Sequence, residues 1–142
     1  MARPTKYTEE LATEICTEIA TTTDSLRTIC NRLDISVATV LNWLKDEANP
    51  SFLAQYARAK EEQAELLVEQ ILEIADYTEK DTIYTESGEK ADKEWINRSR
   101  LRVDARKWLA SKLLPKKYGD RTDINLSGNV KIDVIVPNEL SD

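Results

Sequence analysis

Apolar positions recur along this chain with helical spacing, and the stretch from Asp24 to Asp46, DSLRTICNRLDISVATVLNWLKD, does so twice in quick succession. Leu26, Ile29, Cys30 and Leu33 fall at i, i+3, i+4 and i+7, which is one stripe of a helix. Val37, Val40, Leu41 and Leu44 form a second stripe behind Ser36, a residue type favoured at a helix N-cap. Asp34 and Ile35 are left to join them. Two amphipathic helices on so short a turn share a core and cross steeply, the helix-turn-helix arrangement. The turn position that DNA-binding examples usually give to Gly is Asp34 here, and Asp tolerates the left-handed conformation better than most residues.

Upstream, Thr8 is placed to cap a helix with Glu9, Glu10 and Glu14 in its first turns, where the helix dipole favours them. Its stripe is Leu11, Ile15 and Ile19, and it completes a three-helix domain over residues 1–50, with Trp43 sealing the underside and Pro50 marking the boundary. From Phe52 to Tyr77 there is neither Gly nor Pro, and helix-forming residues dominate, so a long helix is expected. Its stripe, which includes Leu53, Tyr56, Leu67, Ile71, Leu72 and Ile74, broadens toward the C-terminal end beyond what one neighbour can cover. The opposite face is an acidic ridge of Glu61, Glu62, Glu65, Glu69 and Glu73. It reads as a solvated face, not a metal site, since the chain has no His and no tight carboxylate cluster.

Residues 78–92 are polar around Ser87-Gly88 and predict a loop or small hairpin, with Thr82 to Thr85 as the strand-like piece. A second long helix follows from about Lys93 to Leu114 and is stopped by Pro115. It is expected to bury Trp95, Leu101, Ala105, Trp108, Leu109 and Leu113 and to fold back on the first helix as an antiparallel hairpin, residues 51–122. Arg98, Arg102 and Arg106 recur every four residues on one side. They pair with the acidic ridge, in the same or a neighbouring subunit, or else follow DNA phosphates. In the tail, residues 123–142, Val130, Ile132, Val134 and Val136 alternate with Lys131, Asp133 and Ile135 as in a strand. That strand needs a partner. Either Ile124 to Leu126 pairs with it across Ser127-Gly128, or the same strand of other copies closes into a barrel without free edges, which the wide apolar helix face favours.

The chain is therefore expected to be mainly α: an N-terminal helix-turn-helix domain, a central antiparallel helical hairpin for oligomerisation, and a C-terminal β-strand forming an intersubunit barrel. Oligomer contacts are assigned to Leu67, Ile71 and Ile74 on the first long helix, Leu101, Trp108 and Leu109 on the second, and Val130, Ile132 and Val134 in the tail.

The helix from Val37 to Asp46 turns Ser36, Thr39, Asn42 and Lys45 outward. Asn pairs bidentately with adenine, Ser and Thr bond base edges or phosphates, and Lys reaches guanine or the backbone. Arg27, and Arg3 and Lys6 in a short basic N-terminal arm, complete the candidate DNA contacts. The plainer alternative is a packing unit whose outer polar face is only solvated. A net charge of −6 is awkward for a DNA binder, but its distribution is polarised: residues 98–121 hold nine basic residues against two acidic, residues 51–80 three against seven. Such a chain binds DNA weakly as a monomer and needs many copies to hold it.

With 142 residues, 41% of them hydrophobic, the chain can form one domain or two small ones. No apolar run approaches the roughly 18 to 20 residues of a membrane helix, and MARPTKYTEE does not resemble a signal peptide, so a cytoplasmic location is expected. Cys16 and Cys30 are expected to be reduced, buried thiols. Glycines stand only at 88, 119 and 128, so there is no phosphate-cradling GxxxxGK[ST] loop. No cofactor, metal or catalytic centre is expected.

SRLRVDARKWLASKLLPKKYGDR, Ser99 to Arg121, closely resembles the signature of one group of small terminase subunits from tailed bacteriophages and prophages. ATVLNWL, Ala38 to Leu44, resembles their recognition-helix region. The resemblance extends more thinly over most of the chain, in the same order of parts. It implies a ring around a central channel, with the hairpins in the core and the tail strands in a barrel. Its implied partners are double-stranded DNA at the viral packaging site and the large terminase subunit, which cuts the DNA and drives it into the procapsid with ATP. The small subunit is then a non-enzymatic regulator of that motor in the host bacterial cytoplasm. The competing function is a dimeric helix-turn-helix transcription regulator reading half-sites ~34 Å apart.

Overall fold

Six helices and one two-stranded sheet form over residues 6–119, the part of the chain that the structure, a computed structural model, describes. In order they are α1 (Glu9–Thr21), α2 (Leu26–Arg32), α3 (Val37–Lys45), α4 (Pro50–Asp76), β1 (Thr82–Thr85), β2 (Gly88–Ala91), α5 (Lys93–Leu113) and α6 (Pro115–Tyr118). The helix starts follow from side-chain caps. Thr8, Ser25, Ser36 and Asp92 each accept the amide of the residue three positions on, at 3.0 to 3.2 Å, satisfying an otherwise orphaned first-turn donor. Helix α4 begins instead with Pro50, whose missing N–H costs nothing in the first turn.

Ile15, Ile19, Ile29, Val40 and Phe52 are fully enclosed, and with Cys16, Cys30 and Trp43 they form one core spanning α1 to α4. The boundary expected at residue 50 is therefore the first turn of a helix that enters this core with Phe52 and Ala59. Tyr7, directly after Lys6 of the basic arm, docks here. Its ring meets Trp43 edge-on at 5.2 Å and Phe52 at 5.9 Å. Two polar ties reinforce the packing. Arg32 bridges Glu18 at 2.7 Å and Asp24 at 2.9 Å, holding α2 against α1. Gln63, buried on α4, donates its amide to the Thr22 carbonyl at 3.1 Å and the Asp24 carbonyl at 3.2 Å, fastening the α1–α2 linker.

Beyond this core α4 packs along α5 as an antiparallel hairpin, with Leu67 and Ile74 buried inside the chain. The connecting segment is a β-hairpin running from Thr82 opposite Ala91 to Thr85 opposite Gly88. Gly88, at φ 115, takes a conformation open to glycine.

The expected burial on α5 is corrected. Leu101 and Trp108 are 60% and 61% exposed, and Ala105 and Leu109 are exposed as well. The inward positions are Ile96, Ser99, Val103, Arg106 and Ala110, spaced three and four apart, which places Leu101 and Trp108 on the opposite side. A similar rotation affects α4. Leu53, expected in its stripe, is exposed while Phe52, Ala59 and Gln63 are buried, because the first half of the helix faces α1 to α3 and not α5; in the second half Leu72 is exposed, while Leu67 and Ile74 are buried.

Within the chain, among the described residues, Arg98, Arg102 and Arg106 form no ion pair with the acidic ridge. Arg98 bonds Glu94 of its own helix at 3.2 Å, and Arg106 donates to the Gln70 side chain at 2.8 Å and to the Arg102 carbonyl at 3.2 Å. The member of the acidic ridge that finds a cation is Glu65. Lys117 and the Tyr118 hydroxyl reach it at 2.7 Å each, and together they hold its carboxyl below the usual carboxylate range. The tail strand, with Val130, Ile132 and Val134, and Arg3 of the N-terminal arm lie outside the described residues.

Candidate nucleic-acid interface

The turn between α2 and α3 depends on one backbone conformation. Asp34 sits at φ 54, the left-handed region, and is the one non-glycine residue with positive φ among the described residues. That lets the Ile35 amide bond back to the Cys30 carbonyl at 3.0 Å and drops the Ile35 side chain into the core. The chain then leaves in extended form through Ser36, whose hydroxyl accepts the Thr39 amide at 3.1 Å and starts α3.

Helix α3 is pinned by Val40 and Trp43, both buried, with Val37 and Leu44 half-buried beside them. Trp43 therefore closes the underside, as its spacing predicts. Asn42 and Lys45 project from the other side and are exposed, with their side-chain hydrogen-bonding groups free among the described residues. Ser36 and Thr39 share that side, but their hydroxyls bond each other at 2.7 Å. They keep lone pairs for a ligand donor while their geometry is set by the cap. Arg27 is exposed on α2, and Lys6 is exposed beside the docked Tyr7, which fixes where the N-terminal arm leaves the core.

Leu41 differs from expectation. Its place in the apolar stripe predicts burial, but it is 41% exposed, because the buried side of α3 is centred on Val40 and Trp43 and Leu41 lies at its margin. It stands next to Asn42 at the edge of the polar face. An apolar side chain there suits a thymine methyl group, and sequence spacing alone gave no sign of it.

The electrostatics are mixed. Arg32 is committed to Glu18 and Asp24, and Lys60 is half-buried over the Tyr56 ring, at 5.7 Å, with burial pulling its pKa down. Asp46 and Glu47 follow Lys45 directly and oppose phosphate at that end of α3. One copy thus offers few free cations on this face. Cys16 and Cys30 are free thiols inside the core, and burial pushes Cys16 up to about 11. Among the described residues no group of His, Cys, Asp or Glu is arranged to hold a metal ion, and no helix is long and apolar enough to cross a membrane.

The residues assigned to oligomer contacts divide into two sets. Leu101, Trp108 and Leu109 are exposed on α5, Trp108 at the rim of a groove shared with α4. Leu67 and Ile74 are consumed inside the chain, and Ile71 is half-buried where α4, Trp108 and Tyr118 line an open groove of about 690 Å³.

Residues 7–125 match the family described as bacteriophage Sf6, terminase small subunit-like. Crystal structures of the terminase small subunit gp1 of the bacterial virus Sf6, each with a single substitution, are similar in fold, with a TM-score of 0.65 at 31% identity. Two of them are matched over 94% of this chain and 95% of that one, and a third over 92% and 100%. No curated protein sequence matches.

Proposed function

The chain belongs to the family of terminase small subunits like that of bacteriophage Sf6, and so to phage DNA packaging, and from that premise we propose that it forms a ring that reads packaging-site DNA and recruits the large terminase subunit. The α2–α3 pair is its helix-turn-helix, and α3 is the recognition helix. The observation that carries this is Asp34 in the left-handed turn, which sends Val40 and Trp43 inward and leaves Asn42 and Lys45 free on the outside.

Asn42 supplies bidentate readout, Lys45 and Arg27 supply phosphate or guanine contacts, and Arg3 and Lys6 extend the footprint along the backbone. So few contacts bind feebly in one copy of a chain with net charge −6. Copies arranged around a ring raise the effective concentration of each contact, and weak contacts then add. The tail strands of Val130, Ile132 and Val134 close the assembly as a barrel. The subunit acts in the host cytoplasm as a non-catalytic regulator of the large subunit's ATPase and nuclease.

The test is gel-shift titration of packaging-site DNA with Asn42→Ala and Lys45→Ala in the full chain. Loss of a good bidentate pair costs about 1–3 kcal/mol, a weakening of roughly 5- to 150-fold, with the oligomer mass unchanged. Loss of a phosphate contact lowers the salt slope by about 0.9 per bound copy. Unchanged binding by both variants would move the reading surface away from α3. A protein that is only a dimer in solution would favour the transcription regulator.

A further inference from the structure

We propose that residues 120–126, which lie outside the described part of the chain, turn back at Gly119 into the groove between α4 and α5 and seat Ile124 and Leu126 there. Segment and groove belong to one chain, so the contact does not depend on a ring.

The groove holds about 690 Å³ and is lined by Val68 and Ile71 of α4, Trp108 and Lys112 of α5, and Gly119 where the described chain ends. Val68 and Ile71 are half-buried and Trp108 is largely exposed, so an apolar floor stands uncovered by the described residues. The chain reaches it at a fixed place. Lys117 and the Tyr118 hydroxyl hold α6 on Glu65 at 2.7 Å each. Gly119 then donates its amide to the Pro115 carbonyl at 3.0 Å, and a Cβ at this position would lie 2.6 Å from that same oxygen, so only glycine fits without a shift. Its backbone is extended, and the next residue leaves from the edge of the groove.

Length and chemistry both suit this occupant. From Pro115 back to Trp108 the groove runs about 10 Å, at about 1.5 Å of helix rise per residue. With residues 120–122 taken up by the turn, residues 123–126 span about 13 Å extended, at about 3.3 Å each. Side chains of an extended segment alternate, which puts Ile124 and Leu126 on one face, level with Val68 and then Ile71, and Asp123 and Asn125 on the other. Lys107 and Lys112 border the groove and have no ion-pair partner among the described residues, and Asp120 and Asp123 bring the opposite charge. A segment on so short a tether has an effective concentration of about a millimolar, which a separate chain in dilute solution does not match. With Ile124 to Leu126 held there, Val130 to Val136 lose that hairpin partner, and the tail strand is left to pair with another copy.

The test traps the contact as a disulfide in the full chain. Two pairs, Val68→Cys with Ile124→Cys and Ile71→Cys with Leu126→Cys, sample the two levels, and Ile71→Cys with Asn125→Cys puts the second thiol on the opposite face. Cys16 and Cys30 stay buried in all three alike. Under mild oxidation at least one inward pair is expected to close within the chain about 10-fold faster than the Asn125 pair, since an unstrained disulfide forms only between closely placed residues. Peptide mapping identifies the bond, and circular dichroism confirms that each variant is helical. An equal mixture of the single variants Ile71→Cys and Leu126→Cys is expected to run as monomer on a non-reducing denaturing gel. Closure of both inward pairs no faster than the Asn125 pair would overturn the inference. A disulfide between chains in the mixture would overturn it as well, by giving the groove to the segment of a second copy.

Discussion

Replacing Gln63 with Met keeps the buried stem and removes the two donors that hold the α1–α2 linker to α4. The side chain is 5% exposed, both bonds it donates, at 3.1 and 3.2 Å, go to backbone carbonyls, and its oxygen accepts a long one from Lys60 at 3.5 Å. A typical buried hydrogen bond contributes about 0.5–1.5 kcal/mol, and an acceptor left unsatisfied costs about 1–3 kcal/mol. Two such losses, partly relieved by water at the linker, come to about 2–3 kcal/mol. With a urea dependence of about 2 kcal/mol per molar, the unfolding midpoint should fall by roughly 1–1.5 M at fixed protein concentration. Hydrogen exchange locates the loss. Amides of α2, α3 and the first half of α4 should lose protection together if they form one cooperative unit. Gln63→Glu sharpens the test, because its carboxylate faces two carbonyls. It should be worse than Met at neutral pH and recover as the acid protonates and regains a donor. A midpoint shift under roughly 0.3 M for the Met variant would refute the reasoning by showing that the linker carbonyls are well satisfied without Gln63.

The turn and the thiols give further expectations. Asp34→Gly should be neutral or stabilising by up to about 1 kcal/mol in urea unfolding, since Gly takes φ 54 without the Cβ clash, whereas Asp34→Val should lose about 1–2 kcal/mol. Cys16, pushed by burial to about 11, should resist a thiol reagent at pH 8 until urea is added. Only about one thiol in a thousand is ionised there, against about a quarter for an exposed cysteine, so native labelling should be at least about 100-fold slower. The sign of the pH effect follows. A thiol held neutral when folded stabilises fully below its unfolded pKa of about 8.5, and that contribution is lost as pH rises toward the folded value.

Helix spacing reads out α1 to α5, and the capping residues Thr8 and Ser36 locate two of the starts. A single stripe misleads where a helix serves two neighbours in turn. Helix α4 packs on α1 to α3 with its first half and on α5 with its second. Gln63 gives no sign in sequence, because a polar residue among Glu and Ala looks solvated until a linker carbonyl is placed over it. Leu101 and Trp108 are a different case. Their apolar character is plain, but periodicity does not distinguish a face that meets the same chain from one that meets another copy. At the candidate interface, Asn42 and Lys45 are legible from spacing, and Leu41 becomes visible only once the buried side of α3 is seen to centre on Val40 and Trp43.

Helix α4 runs unbroken from Pro50 to Asp76, with Phe52 in the first core at one end and Ile74 against α5 at the other. At 1.5 Å per residue it is a shaft about 40 Å long. Toward its C-terminal end Gln70 donates to the Thr23 hydroxyl at 2.8 Å while accepting from Arg106, so the α1–α2 linker and α5 are bolted to one side chain. Such a shaft transmits torque. A twist imposed on the hairpin arrives at α3 as a change of azimuth, with no loose joint to absorb it. Copies locked side by side, as in the proposed ring, would share one phase, and each would present α3 at the same angle.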